Sequence, residues 1–146
     1  MESYSVFTDE SHVTAARYRS VAAVSMPTVR VPSLRSALSA ALVSSNVREF
    51  KWKKLQSAKY RFAAQKLATQ AFEALDPPGL RLDVLVWDTQ DERHSVRHRN
   101  DRANYERMFF HLLRWLMQRR GQGTTWEVFP DERTGGGLGD CARLPR

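Results

Sequence analysis

The sequence predicts an α/β domain, built on a mixed sheet with helical crossovers. Segments rich in β-branched and aromatic residues alternate with stretches of helical apolar spacing in its second half. The first two extended segments are joined by only a short polar stretch, as in a hairpin. With 146 residues the chain can bury a single core.

Tyr4–Ser11 reads as the opening strand, apolar through Phe7 and ending in the adjacent acids Asp9 and Glu10. Tyr18–Ser25, rich in Val and Ala, follows as its hairpin partner, closed by Met26–Pro27. Val31–Pro32–Ser33 opens a first helix, with Leu34, Leu38, Ala41 and Leu42 on one face and an end near Ser44–Ser45–Asn46. Val47–Lys54 alternates enough to be a strand or an extended loop. A second helix is expected from about Ser57 to Leu75, its apolar face made by Ala64, Leu67, Ala68, Ala71, Phe72 and Leu75. Asp76–Pro77–Pro78–Gly79 stops it.

Leu80–Trp87 is the clearest strand, and its near-continuous apolar second half predicts a central, covered position. A polar, basic loop runs from Thr89 to Arg102. Asp101 is placed to cap a third helix reaching about Gln118, with Tyr105, Met108, Phe109, Leu112, Leu113 and Leu116 as its buried stripe. Gly121 and Gly123 end that helix, and Thr124–Phe129 forms the last strand. Four of the seven glycines then fall between Gly135 and Gly139. Residues 1–133 are therefore expected to form one domain, and residues 134–146 a poorly ordered tail.

Twenty-three Lys and Arg oppose 16 Asp and Glu, a net charge of +7 that favours polyanionic partners, nucleic acid before anionic membrane. The one cysteine, Cys141, excludes an intrachain disulfide and a multi-cysteine metal site, as expected of a reducing compartment. The first residues lack the basic lead and apolar run of a signal peptide, and no apolar run approaches the roughly 20 residues of a membrane helix. The expectation is a cytoplasmic protein with no membrane association and no small-molecule cofactor.

Acids recur where segments end: Asp9 and Glu10, Glu49, Asp88, then Asp131 and Glu132. Metal-dependent phosphodiester hydrolysis needs carboxylates from separate elements, because acids adjacent on a strand point apart. Strand ends also collect polar residues for solubility alone, and both readings stand at this level. Lys51 and Lys53 flank Trp52 beside Glu49, an arrangement suited to phosphate contact with aromatic support or to a solvated strand face around a core tryptophan. Arg93, Arg97, Arg99 and Arg102 could track a nucleic-acid backbone or simply be solvated. His94 and His98 have a zinc-compatible helical spacing, but no cysteine or second histidine pair accompanies them.

Asp9–Glu10–Ser11 after a first strand, Glu49–Phe50–Lys51–Trp52–Lys53 in the middle and Asp131–Glu132–Arg133 after a late strand together resemble the family called domain of unknown function 3800. Its members are bacterial and phage-associated, ribonuclease-H-like in fold, open with D-E-S-G and often carry E-x-K-W. The resemblance spans residues 4 to 133 and implies a metal-dependent nuclease using Mg²⁺ or Mn²⁺. It implies Asp9 as the central metal ligand, with Glu49 and Asp131 as further catalytic ligands. Asp88 joins the metal set by position only. His12 stands where the family has glycine. The family usually continues into a further helix, which supplies ribonuclease-H-like nucleases with a last carboxylate; that C-terminal helix is missing here, and an inactive member is one expectation. The alternatives are a non-catalytic nucleic-acid-binding module and an accessory interaction protein of a mobile-element or defence system.

Overall fold

The computed structural model describes residues 2–11, 16–75, 79–94, 100–120 and 123–131. Its elements in chain order are strand β1 (Ser3–Ser11), strand β2 (Tyr18–Pro27), helix α1 (Val31–Ser44), helix α2 (Ala58–Glu73), strand β3 (Arg81–Asp88), helix α3 (Asp101–Arg120) and strand β4 (Thr125–Pro130). They form a mixed four-stranded sheet, ordered β3-β2-β1-β4, and three α-helices.

The strand directions follow from the connections. The link from β1 to β2 is too short for a parallel crossover, so these neighbours run antiparallel. The Thr89 N–H, just past β3, donates to the carbonyl of Arg17, just before β2, so β3 also opposes β2. β4 pairs parallel with β1, from Ser3↔Thr125 through Val6↔Val128 to Thr8↔Pro130. The C-terminal ends of β1, β3 and β4 therefore share one edge of the sheet.

The chain divides into two compact units, Met1–Ser25 with Leu82–Arg146, and Met26–Arg81. In the first, α3 lays Met108, Leu112, Leu113 and Leu116 on Val6, Val21, Ala23 and Trp87 of the sheet. The helical stripe expected from the periodicity is this contact. Strand alternation places Tyr4, Val6, Thr8 and Glu10 on the α3 face of β1, and Phe7 and Asp9 on the other. Tyr4 meets Trp126 on the α3 side (5.3 Å between centroids), and Phe7 stacks on Phe129 on the opposite side (5.0 Å).

The second unit centres on Val47, Tyr60 and Ala63, with Leu42 and Phe50 packed against them. Helix α1 ends in a left-handed cap at Asn46 (φ 53°). The Asn46 N–H donates to the Val43 carbonyl (2.9 Å) and the Val47 N–H to that of Leu42 (3.0 Å). The buried Val47 then contacts Leu42, the apolar clasp that accompanies this cap. Asn tolerates positive φ because its short side chain bonds locally.

Three expectations are corrected, and one pair of alternatives is decided. β3 is an edge strand and not a central one: its Leu82, Val84 and Val86 point to one face and are exposed, and only the alternate side chains Asp83 and Trp87 are buried. Of the two alternatives for residues 47–54 the structure takes the loop, running irregularly into a 3₁₀ turn at Trp52–Lys54. The buried face of α2 is Tyr60 and Ala63, one step round from the expected stripe, and Phe72 and Leu75 are exposed. Asn100, and not Asp101, caps α3: its Oδ1 accepts the Ala103 N–H at 2.9 Å. Asp101 instead forms an ion pair with Arg19 (2.9 Å). Gly123, at φ +90°, occupies the left-handed region glycine favours in the turn before β4. The tail at 134–146 lies outside the described residues.

Candidate metal centre

Continuing the parallel register by one residue beyond Thr8↔Pro130 brings Asp9 opposite Asp131. Neighbouring strands lie about 4.8 Å apart, so Asp9 and Asp131 follow paired residues at the same end of the sheet. By alternation Asp9 projects on the face that carries the Phe7–Phe129 stack, away from α3. Asp9 is exposed, and its Oδ1 accepts the Glu10 N–H at 2.8 Å.

Glu10 takes the opposite face. There the Tyr105 hydroxyl of α3 donates to Glu10 Oε2 over 3.4 Å. Partial burial raises the Glu10 carboxyl above its ordinary value, and the neighbouring charges of Asp9 and Asp131 push it the same way. The Tyr105 phenol is pushed up to about 12, first by burial and then by Glu10, Asp9 and Asp131. Three acids thus act on one small region, with the phenol as a donor inside it.

The other expected ligands are placed differently. Asp88 ends β3, two strands from β1, and is held by Arg17: Arg17 Nη2 donates to its Oδ2 at 3.0 Å and Nε to its Oδ1 at 3.2 Å. That bond keeps the Asp88 carboxyl below its usual value. Glu49 belongs to the second unit, where Lys51 Nζ lies 3.0 Å from its Oε2. Trp52 is 73% exposed and edge-on to Phe50 (5.0 Å), so it is no core tryptophan. Lys53 is exposed in the same 3₁₀ turn. Arg93 forms an ion pair with Asp91 (2.6 Å), which neutralises part of the expected basic loop. Arg97 and Arg99, like Glu132, His98 and Cys141, lie outside the described residues.

Paired aspartates are hard oxygen donors of the kind Mg²⁺ and Mn²⁺ take, and Mg²⁺ commonly uses one or two carboxylates with water and phosphate completing its shell. Asp9 and Asp131 fit that requirement. Among the described residues no group of three or more His, Cys, Asp and Glu is arranged to hold a metal. Sequence reasoning left out Tyr105 and Arg17. Tyr105 reads as core because it sits in the apolar stripe of α3, and only its register against Glu10 gives its hydroxyl a task. No helix among the described residues is long and apolar enough to cross a membrane.

Two proteins of Methanothermobacter thermautotrophicus are similar to this chain. Uncharacterized protein ORF2′ is 34% identical over 134 residues, covering 86% of this chain and 47% of the relative. Uncharacterized protein ORF2 is 32% identical over 132 residues, covering 85% and 46%. The chain thus spans about half the length of these curated relatives. No protein-family profile and no solved structure matches it.

Proposed function

We propose that the chain is a ribonuclease-H-like domain related to domain of unknown function 3800, a metal-dependent nuclease that hydrolyses phosphodiester bonds of DNA or RNA. The observation that supports this is the parallel β1–β4 register through Thr8↔Pro130, the residues directly before Asp9 and Asp131. The raised carboxyl of Glu10, on which both aspartates act, supports a concentration of negative charge there.

Asp9 and Asp131 would hold one Mg²⁺ or Mn²⁺. When bound, such an ion lowers the pKa of its water and offsets charge developing on the phosphate. Glu10, held by Tyr105, adds negative potential without sharing the face of Asp9. Glu49 stays the further ligand that the E-x-K-W motif implies. Its neighbours Lys51, Trp52 and Lys53 present two cations and an exposed ring to a nucleic-acid strand. Arg93 belongs to the same nucleic-acid-binding proposal.

One observation favours a second reading, a nucleic-acid-binding module without catalysis: the described residues gather no third metal-ligating side chain. Labelled single- and double-stranded DNA and RNA, incubated with Mg²⁺, Mn²⁺ or EDTA, separate the two. Cleavage with metal and none in EDTA supports the nuclease. A salt-dependent shift with no cleavage under any condition selects the binding module.

A further inference from the structure

Helix α3 carries five arginines against two acids, and its outward side reads Arg107, Phe110, His111, Arg114, Trp115 and Arg119. The spacing of three and four makes this one continuous stripe, and every one of these residues is exposed. Arg107 and Arg114 make no ion pair with an acid of the described residues, whereas Arg102 pairs with Glu106 (3.1 Å) and Arg119 lies over the Trp115 ring (3.6 Å).

Beside this stripe runs an open groove. The open edge of β3 at Val84–Leu85–Val86 forms one wall, with Leu85 on its α3 side, and His111 and Trp115 of α3 form the other, with Arg114 on its rim. Its volume of about 560 Å³ is that of an ordinary ligand cleft. A second hollow of about 390 Å³, lined by Val86, Arg107 and His111, lies along the same strand and helix. The groove lies on the β3 edge, away from the β1–β4 pair that carries Asp9 and Asp131.

We propose that this groove binds single-stranded nucleic acid, with bases against Leu85 and Trp115 and phosphates on Arg107 and Arg114. Charge complementarity selects this occupant: arginines paired with no acid among the described residues border an apolar, aromatic slot, and a chain of flat bases joined by anionic links matches both features. Duplex DNA offers phosphates but keeps its bases stacked inside, leaving the slot empty. The groove needs no metal, so it goes beyond the site proposed at Asp9 and Asp131.

The test is fluorescence anisotropy of the full chain with labelled single-stranded DNA and RNA of about 15 nucleotides, in EDTA at low salt, so that a failed metal site leaves the readout untouched. Wild type should bind, and more weakly as salt rises. The double variant R107E/R114E should bind at least ~30-fold more weakly. Its salt slope should be smaller by about 1.4, because two phosphates of a single strand are no longer neutralised. Trp115→Ala should cost about tenfold. Both arginines are exposed, and a wild-type melting curve for that variant excludes unfolding as the cause. No binding by wild type at low salt would overturn the proposal, as would wild-type affinity in the double variant. An effect of the arginines with none of Trp115 would remove the bases from the groove and overturn it too. A dimer that Trp115→Ala dissociates, with nucleic-acid affinity unchanged, would assign the groove to a second copy of the chain.

Discussion

Asp9 and Glu10 differ by one position and meet opposite environments, because successive strand residues face opposite ways. Asp9 emerges on the face of Phe7, and Glu10 turns under α3 to the Tyr105 hydroxyl. Asp9→Asn keeps the side chain's size and removes the charge a divalent cation needs. Metal-dependent cleavage should fall at least ~100-fold in the labelled-substrate assay, an electrostatic loss of the usual size for such sites. The melting temperature without metal should hold or rise, since one of two repelling carboxylates is gone. Asp88 behaves differently. Arg17 holds its carboxyl below the ordinary 3.8, and a carboxyl lower in the folded state adds stability above its unfolded value. That stability is lost as pH falls through the folded value. Arg17→Ala should therefore melt slightly below wild type near neutral pH, and the gap should close in acid below 3.8. The gap should be small, because the pair is exposed.

At the level of elements, the start of α3 separates two side chains that look equivalent in sequence. Asn100 caps the helix and Asp101 faces Arg19. Asn100→Ala should cost about 1 kcal/mol in chemical denaturation. The stripe from Met108 to Leu116 is legible because helical periodicity and burial coincide there, and Leu116 is 1% exposed. Leu116→Ala should cost about 2–5 kcal/mol. β3 is misleading in sequence for a physical reason: Leu82, Val84 and Val86 look like a covered strand, yet side-chain type does not report whether a neighbour lies beyond the outer edge. The α2 face differs by one step from its apolar periodicity because Tyr60 and Ala63 carry the packing while larger Phe72 and Leu75 stay in solvent. The candidate site is half legible. Asp9 and Asp131 follow apolar strands, but only the parallel register makes them neighbours, and Glu49 and Asp88 share that sequence signal without sharing their place.

For the molecule as a whole, two compact units with separate apolar clusters mean that stability is not uniform along the chain. In hydrogen exchange, Leu116→Ala should speed β1, β2, β4 and α3 more than α1 and α2; equal acceleration of all elements would show a single cooperative unit. The net charge of +7 adds a field that draws anions to the surface, so affinity for any nucleic acid should fall steeply with salt. A cation held only by the folded state should oppose unfolding by mass action. The most direct measurement is thermal melting of wild type, Asp9→Asn and Asp131→Asn, each in excess Mn²⁺ and in EDTA. Wild type should gain several degrees from Mn²⁺ and both variants should gain none, as a site built by these two carboxylates requires. A wild type indifferent to Mn²⁺, or variants that gain as much as wild type, would contradict a metal centre at Asp9 and Asp131.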